Sequence, residues 1–330
     1  MASLDVFKGD GFTLTSLTAA INAQKHLPTR IGDSGLFHEE GVTTPTVQIE
    51  KQGDKLILVA SADRGAPGVK IKGEKRHKIP FNTIHLPQEA TIMADEVAGL
   101  VAFGSETEAE TVENYVAQRL GKMRRNNDAT IEYHRIGAMQ GKILDADGST
   151  ELLDLYTSFG LTKQTHSLVL GTNTTKVRLK LIEAKRKIEK KLGAVMVTGW
   201  KCYMSEGFSD SFTNHTSVLT AYERWNDGQA LRDDMRDDFQ FAGISFEEYR
   251  GQVGSVDFIP AGKAILVPTG VPEMFVTYFA PANYAETVGT LGLPYYAKQE
   301  PLPFNKGVEI EAQSNPLCIN TRPDCVIELS

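Results

Sequence analysis

The chain has 330 residues, of which 41% are hydrophobic and 23% charged, with a formal net charge of −7. That is the make-up of a globular protein with a sizeable core and two or three domains, not of a disordered chain. Net negative charge argues against a dedicated nucleic-acid binder, although it leaves room for local basic surfaces.

The longest uncharged apolar runs, 97–104 and 264–267, fall well short of the roughly 20 residues that cross a bilayer, so no membrane span is expected. The start, Met1 to Asp5, offers no basic region followed by an apolar core. No secretory signal is therefore expected, and the chain should stay in the cytoplasm where it is made. Cys202, Cys318 and Cys325 are odd in number, widely spaced and without a Cys-x-x-Cys pair, which predicts buried small apolar residues rather than a disulfide framework or a zinc site.

In chain order, residues 1–40 are polar and punctuated by Gly9, Gly11, Pro28, Gly32 and Gly35, with a helix predicted only over Leu14 to Ala23. Such a segment reads as an arm that orders against something else. Thr46 to Gln52 and Lys55 to Ala60 flank Gly53-Asp54 as a predicted hairpin. From Asp63 to Lys78, six basic residues (Arg64, Lys70, Lys72, Lys75, Arg76, Lys78) face two acidic ones (Asp63, Glu74), with four glycines and prolines between them. The pattern fits a solvated loop or an extended arm reaching an acidic partner surface. Pro80 to Leu86 reads as a returning strand, so 41–90 forms a long two-stranded excursion that needs a partner to lie on.

The stretch 105–148 organises the chain. Ser105-Glu106-Thr107-Glu108 has the Ser-x-x-Glu spacing of a capping box. Val112, Val116, Leu120 and Met123 then recur at helical spacing, and Thr130, His134, Gly137 and Gly141 continue the stripe. An unbroken helix to Gly141 has about 37 residues and a length of about 55 Å, a strut rather than an ordinary helix. The competing reading breaks it at Asn126-Asn127-Asp128. Gly137 and Gly141 mark either a close crossing by another element or a glycine cap at the helix end. Lys142 to Leu144 and Leu152 to Tyr156 read as strands joined through Asp145-Ala146-Asp147-Gly148, with Asp-Gly favouring a tight turn.

Thr172 to Leu192 is a second predicted helix with Val177, Leu181, Ala184, Ile188 and Leu192 on one face and strongly basic other faces. Ala194 to Tyr203 reads as a buried strand, Ser217 to Trp225 as a helix, and Phe239 to Gly251 as a strand or hairpin. Phe275 to Ala280, Val308 to Ala312 and Val326 to Leu329 read as sheet. The acidic cluster Asp233, Asp234, Asp237 and Asp238 has carboxylates four apart that can hold magnesium, but no second acidic motif accompanies it. A charged loop or subunit contact explains it better. No nucleophile elbow, phosphate loop, dinucleotide fingerprint or His-Glu-x-x-His is present, and the seven histidines lack ligand spacing. No catalytic residue, cofactor or metal is assigned.

Glu132, Gly137-Ala138, Gly141-Lys142-Ile143, Asp145-Ala146-Asp147-Gly148, Leu155 and Phe159-Gly160 together resemble the central block of the major capsid proteins of the lambda head-protein family of tailed phages. The arm, the basic excursion ending in Lys75-Arg76-His77-Lys78, and Gln313-Ser314-Asn315-Pro316-Leu317 resemble other parts of that family in the same order. The resemblance implies an α+β protein with the Hong Kong 97-type capsid fold. Mapped here, 1–40 is the N-terminal arm and 41–92 the extended loop. Residues 93–169 with 271–317 form the peripheral domain on a spine helix of about 105–141, and 170–270 with 318–330 the axial domain.

The implied function is a non-enzymatic major capsid protein, assembled in the host bacterial cytoplasm and located in the virion. Its expected partners are itself, in hexamers and pentamers of an icosahedral shell, with scaffold, portal and decoration proteins. Packaged double-stranded DNA is expected to be met without sequence specificity. Arg64, Lys70, Lys72, Lys75, Arg76 and Lys78 are the candidate inter-subunit contacts, and Gly137 and Gly141 the candidate close-packing positions. The runner-up is an encapsulin-like bacterial compartment shell, and the third reading a metal-dependent enzyme using Asp233, Asp234, Asp237 and Asp238.

Overall fold

The computed structural model describes residues 7, 9–51, 77–96, 108–193, 195–225, 238–254 and 256–330. By its internal contacts the chain divides into two units, one of 1–47, 81–135 and 276–318, the other of 48–80, 136–275 and 319–330.

The first unit is built on residues 108–135 of the long helix Glu108–Gln140, which is continuous through Asn126-Asn127-Asp128. The three polar residues do not break it because their side chains are used. Asn126 Nδ2 donates to Gln88 Oε1, Gln88 Nε2 donates to Met123 O and Asn127 Oδ1, and Asp128 accepts from Leu27 N. Val112, Val116, Leu120 and Met123 are buried as their spacing predicts.

Gln88 belongs to strand Leu86–Met93, which pairs antiparallel with Gly307–Ser314, itself paired with Tyr296–Pro301. On this sheet's apolar face Ile92, Val308, Ile310, Ala297 and Ala312 are buried. The helix Leu14–Ala23 has the predicted bounds and starts with Thr13, whose side chain accepts from Ser16 N. It sits against Tyr296–Pro301, where Thr18 and Ala297 exchange hydrogen bonds and Asn22 Nδ2 donates to Tyr295 O. A second sheet has the order His38–Gly41, Phe275–Phe279, Pro316–Asn320, with the first pair parallel.

The second unit holds a six-stranded sheet in the order Gln164–His166, Ile327–Leu329, Ala264–Thr269, Gly199–Met204, Ile244–Glu248, Phe239–Phe241. Helix Val177–Leu192 buries the five predicted apolar residues. Helix Glu206–Thr213 brings Phe212 onto Phe239, Phe241 and Phe246, with Phe212 stacked on Phe246 at 4.5 Å between ring centres and on Phe208 of the same helix. Cys202, Cys318 and Cys325 are free and buried, and burial pushes all three thiols upward, Cys318 to about 11 and Cys325 to about 12. They pack as small apolar groups.

Several sequence-based expectations need correction. Pro80 to Leu86 is not one strand: His77–Asn82 pairs with Thr46–Lys51, and Leu86–Met93 starts anew after a break at 83–85. The strand expected to reach Tyr156 ends at Asp154, whose carboxylate caps the short helix Leu155–Phe159 by accepting from Thr157 N. The second helix starts at Val177 rather than Thr172. The run around Met196 is not a buried strand, since Met196 is 85% exposed and pairing begins at Gly199. Thr130 is only half-buried and bonds Asn126 O, so the apolar stripe gives way there to a different pattern. The hairpin predicted over 53–54 and the capping serine at 105 lie outside the described residues.

Candidate functional site

Beyond Met123 the long helix buries charge. Arg124, Asp128 and Glu132 recur every four residues, with Arg135 one turn on, and the last three are at most 5% exposed. Buried charges persist only where partners satisfy them, and here the partners are mainly the backbone of 21–32. Helix Leu14–Ala23 ends beside Arg124, whose Nη1 donates to Ile21 O, Asn22 O and Gln24 O at 3.0, 2.7 and 2.6 Å. A cation there satisfies carbonyls that a helix end leaves unpaired and opposes the negative end of its dipole. Arg124 also lies over the Tyr295 ring at 5.1 Å.

Asp128 accepts from Leu27 N at 3.0 Å and from the Tyr295 hydroxyl. Burial, and then the Asp128 carboxylate, push the Tyr295 phenol far up, so it remains a donor. Glu132 accepts from Ile31 N at 2.7 Å through one oxygen and from Gly32 N at 3.1 Å through the other. Arg135 closes the row by donating to Thr277 Oγ1 and pairing with Glu39. Residues 24–39, which form little regular structure, are thus fastened to the helix at four levels. Glu132 was quoted in the sequence resemblance. The other three were missed, and the signal that could have found them is the row's spacing of four, four and three on the line of the apolar stripe.

Where the helix ends, Gly141 has φ +84 and its N–H donates to Ala138 O. A Cβ there would lie 2.2 Å from the Tyr156 ring, so the position both caps the helix and admits an aromatic ring. At Gly137 a Cβ would lie 2.7 Å from Lys142 O and 3.1 Å from Ile143 Cα, where the chain returns as strand Lys142–Leu144. That strand pairs with Glu151–Asp154 across a turn held by Asp147, which accepts from Ser149 N, Thr150 N and Thr150 Oγ1. Those bonds, the Thr150 hydroxyl first, hold the Asp147 carboxyl well below the usual range.

Of the six basic loop residues, Lys78 is described, exposed in strand His77–Asn82, and the other five lie outside the described residues. A surface of opposite sign exists on the outer face of the antiparallel sheet. Glu89, Glu311 and Lys298 stand in one cross-strand row, and Thr91, Glu309 and Glu300 in the next. Lys298 turns to Glu286 at 2.7 Å, so Glu89 directly faces Glu311, a like-charge pair that costs stability. Burial, then Glu89, raise the Glu311 carboxyl above its ordinary value.

Asp238 is the one described member of the aspartate cluster, and it accepts from Ser245 Oγ and Gln240 Nε2. Among the described residues no group of three or more His, Cys, Asp or Glu is placed to hold a metal ion. No helix among them is long and apolar enough to cross a membrane.

Residues 13–330 match the family described as phage major capsid protein E. The chain belongs to that family. The match is to the family as a whole and does not single out a lambda branch within it. A curated relative, the major capsid protein of Pseudomonas phage KPP10, is 27% identical over 316 residues, covering 89% of this chain and 90% of its own length.

Among solved structures, the putative capsid protein of a prophage of E. coli CFT073 is similar at a TM-score of 0.59 and 13% identity, covering 96% of this chain and 98% of that one. The capsid of Myoviridae phage XM1 is similar at 0.51 and 8%, covering 93% of each. The fold of this capsid-family chain is of the Hong Kong 97 type, an α+β arrangement. Its role is structural, a subunit of a tailed-phage shell in the virion rather than an enzyme, and it self-associates. The compartment-shell alternative has less support.

Proposed function

We propose that the protein assembles in the host cytoplasm into hexameric and pentameric capsomers of an icosahedral shell that encloses double-stranded DNA, with scaffold, portal and decoration proteins as partners. The observation that carries this reading is the extent of the family match, which reaches from residue 13 to 330. In this reading 1–40 is the arm and 41–92 the extended loop. Residues 93–169 with 271–317 form the peripheral domain, and 170–270 with 318–330 the axial domain.

The basic stretch 63–78, of local charge +4 in a chain of −7, docks on a neighbouring copy. The carboxylate rows at Glu89, Glu311, Glu300 and Glu309 are of the sign it needs. Each exposed pair contributes at most about 1 kcal/mol, but a closed shell repeats the contact at every equivalent position. Gly137 and Gly141 are close-packing positions that fix the foot of the helix.

Light scattering and negative-stain microscopy of the purified product, expressed with and without a scaffold, test the proposal. Capsomers, tubes or shells whose size grows with concentration are expected. A well-folded monomer at high concentration, unchanged by scaffold, contradicts it.

A further inference from the structure

Helix Val177–Leu192 carries more positive charge than its own fold uses. From Lys176 to Lys191 there are eight basic and two acidic residues. The buried face is the purely apolar row Val177, Leu181, Ala184, Ile188, Leu192, so every charge lies on the flanks or the outer face. Three lysines on one flank have local partners. Lys180 lies 3.6 Å from Glu183, Lys191 3.5 Å from Asp324, and Lys187 3.0 Å from the His166 ring. Lys185, on the other flank, donates to Ala242 O. Lys176, Arg178, Arg186 and Lys190 are exposed and have no ion pair among the described residues.

Two of these cations oppose the helix itself. Lys176 is the N-cap with no side-chain capping bond, Arg178 follows in the first turn, and no acidic residue stands there. The positive end of the macrodipole favours acids at that place, so the fold gains nothing from the two cations. Lys190 and Lys191, in the last turn, are of the sign the dipole prefers.

We infer that the outer face of this helix is where the protein meets the phosphate backbone of duplex DNA. The inference rests on the proposed DNA-filled shell and names the part of the chain that faces the genome. A protein partner fits less well, because lysine is depleted at protein interfaces and this face offers few apolar anchors, with Leu179 the large exposed one. Six of the eight cations are lysines, hydrated point charges that pair with any phosphate and carry no base-reading geometry. The 16-residue helix is about 24 Å long, which runs beside about seven base pairs.

The test is fluorescence anisotropy of a labelled random-sequence 30-base-pair duplex titrated with the full-length subunit, from 50 to 200 mM salt. Two triple variants are compared with the wild type: Lys176→Gln/Arg186→Gln/Lys190→Gln, and a control, Lys25→Gln/Lys122→Gln/Lys306→Gln, with equal loss of charge elsewhere. Sequence-independent binding is expected in the wild type and the control. The helix variant should bind at least tenfold more weakly at 100 mM salt, with the slope of log affinity against log salt reduced by about two to three.

Equal weakening in both variants, or no binding by wild type at 50 mM salt, overturns the inference. So does wild-type DNA binding by a helix variant that no longer assembles, which would make the face a contact between copies. Particle formation is scored separately by microscopy, so failure to form shells counts against the proposed function and not against this surface.

Discussion

The two halves of the long helix are held in opposite ways. From Val112 to Met123 it buries an apolar stripe at ordinary helical spacing, whereas from Arg124 to Arg135 it buries charge and fastens another segment by hydrogen bonds to that segment's backbone. An apolar contact is non-directional and tolerates neighbours of many shapes. A carboxylate that takes two consecutive backbone N–H groups, as Glu132 does with Ile31 and Gly32, fixes register. The first half therefore supplies cohesion and the second specifies where an irregular segment lies.

Leu120→Ala probes the cohesive half. Leu120 is fully buried, and truncation should cost about 2–5 kcal/mol, seen as a lower denaturation midpoint of the free subunit with its slope unchanged. The specifying half should respond differently. Glu132→Gln keeps one acceptor oxygen but turns an amide donor toward a backbone N–H, at about 1–3 kcal/mol. Its amides around Ile31 and Gly32 should exchange faster than global unfolding accounts for, whereas Leu120→Ala should speed them only through the global term. If both variants give the same exchange pattern, the two halves do not differ in kind.

At the foot of the helix, Gly137→Ala puts a methyl group against the backbone of Lys142 and should cost about 1–3 kcal/mol, with Gly121→Ala as the milder comparison, since its nearest atom is the flexible Gln24 tip. The smallest effect concerns Glu311. Its folded pKa is raised, so the protonated form favours folding and the cost of the charge sets in as pH rises through that value. Glu311→Gln should raise the melting temperature at pH 7 by a degree or two (on the order of 0.5 kcal/mol) and leave it unchanged at pH 3. A gain of equal size at pH 3 would mean that the charge is not the cause.

These contrasts also explain what was legible in the sequence. Val112, Val116, Leu120 and Met123, and the five apolar residues of Val177–Leu192, were readable because burial follows period when the buried groups are apolar. Arg124, Asp128 and Arg135 were not, because charges at helical spacing ordinarily mark a solvated face, and their partners lie about a hundred residues away on 21–32 or farther on. Strands Leu86–Met93 and Tyr296–Pro301 were missed for a related reason. Gln88 and Gln299 stand on their apolar face and interrupt the alternation, and only pairing to Gly307–Ser314 makes them strands. Gly141 was left open between a cap and a close contact because it is both.

Hydrogen exchange measured by mass spectrometry on free subunits and on assembled particles tests the central claim most directly: a subunit folded on its own around the long helix, joined to its neighbours through other surfaces. Amides of 27–32 should be protected equally in both states, because Asp128 and Glu132 hold them within one chain. Peptides covering 64–78 and the strand carrying Glu89 should slow only in particles. Protection of 27–32 that appears only on assembly, or a loop stretch that exchanges identically in both states, would contradict the account.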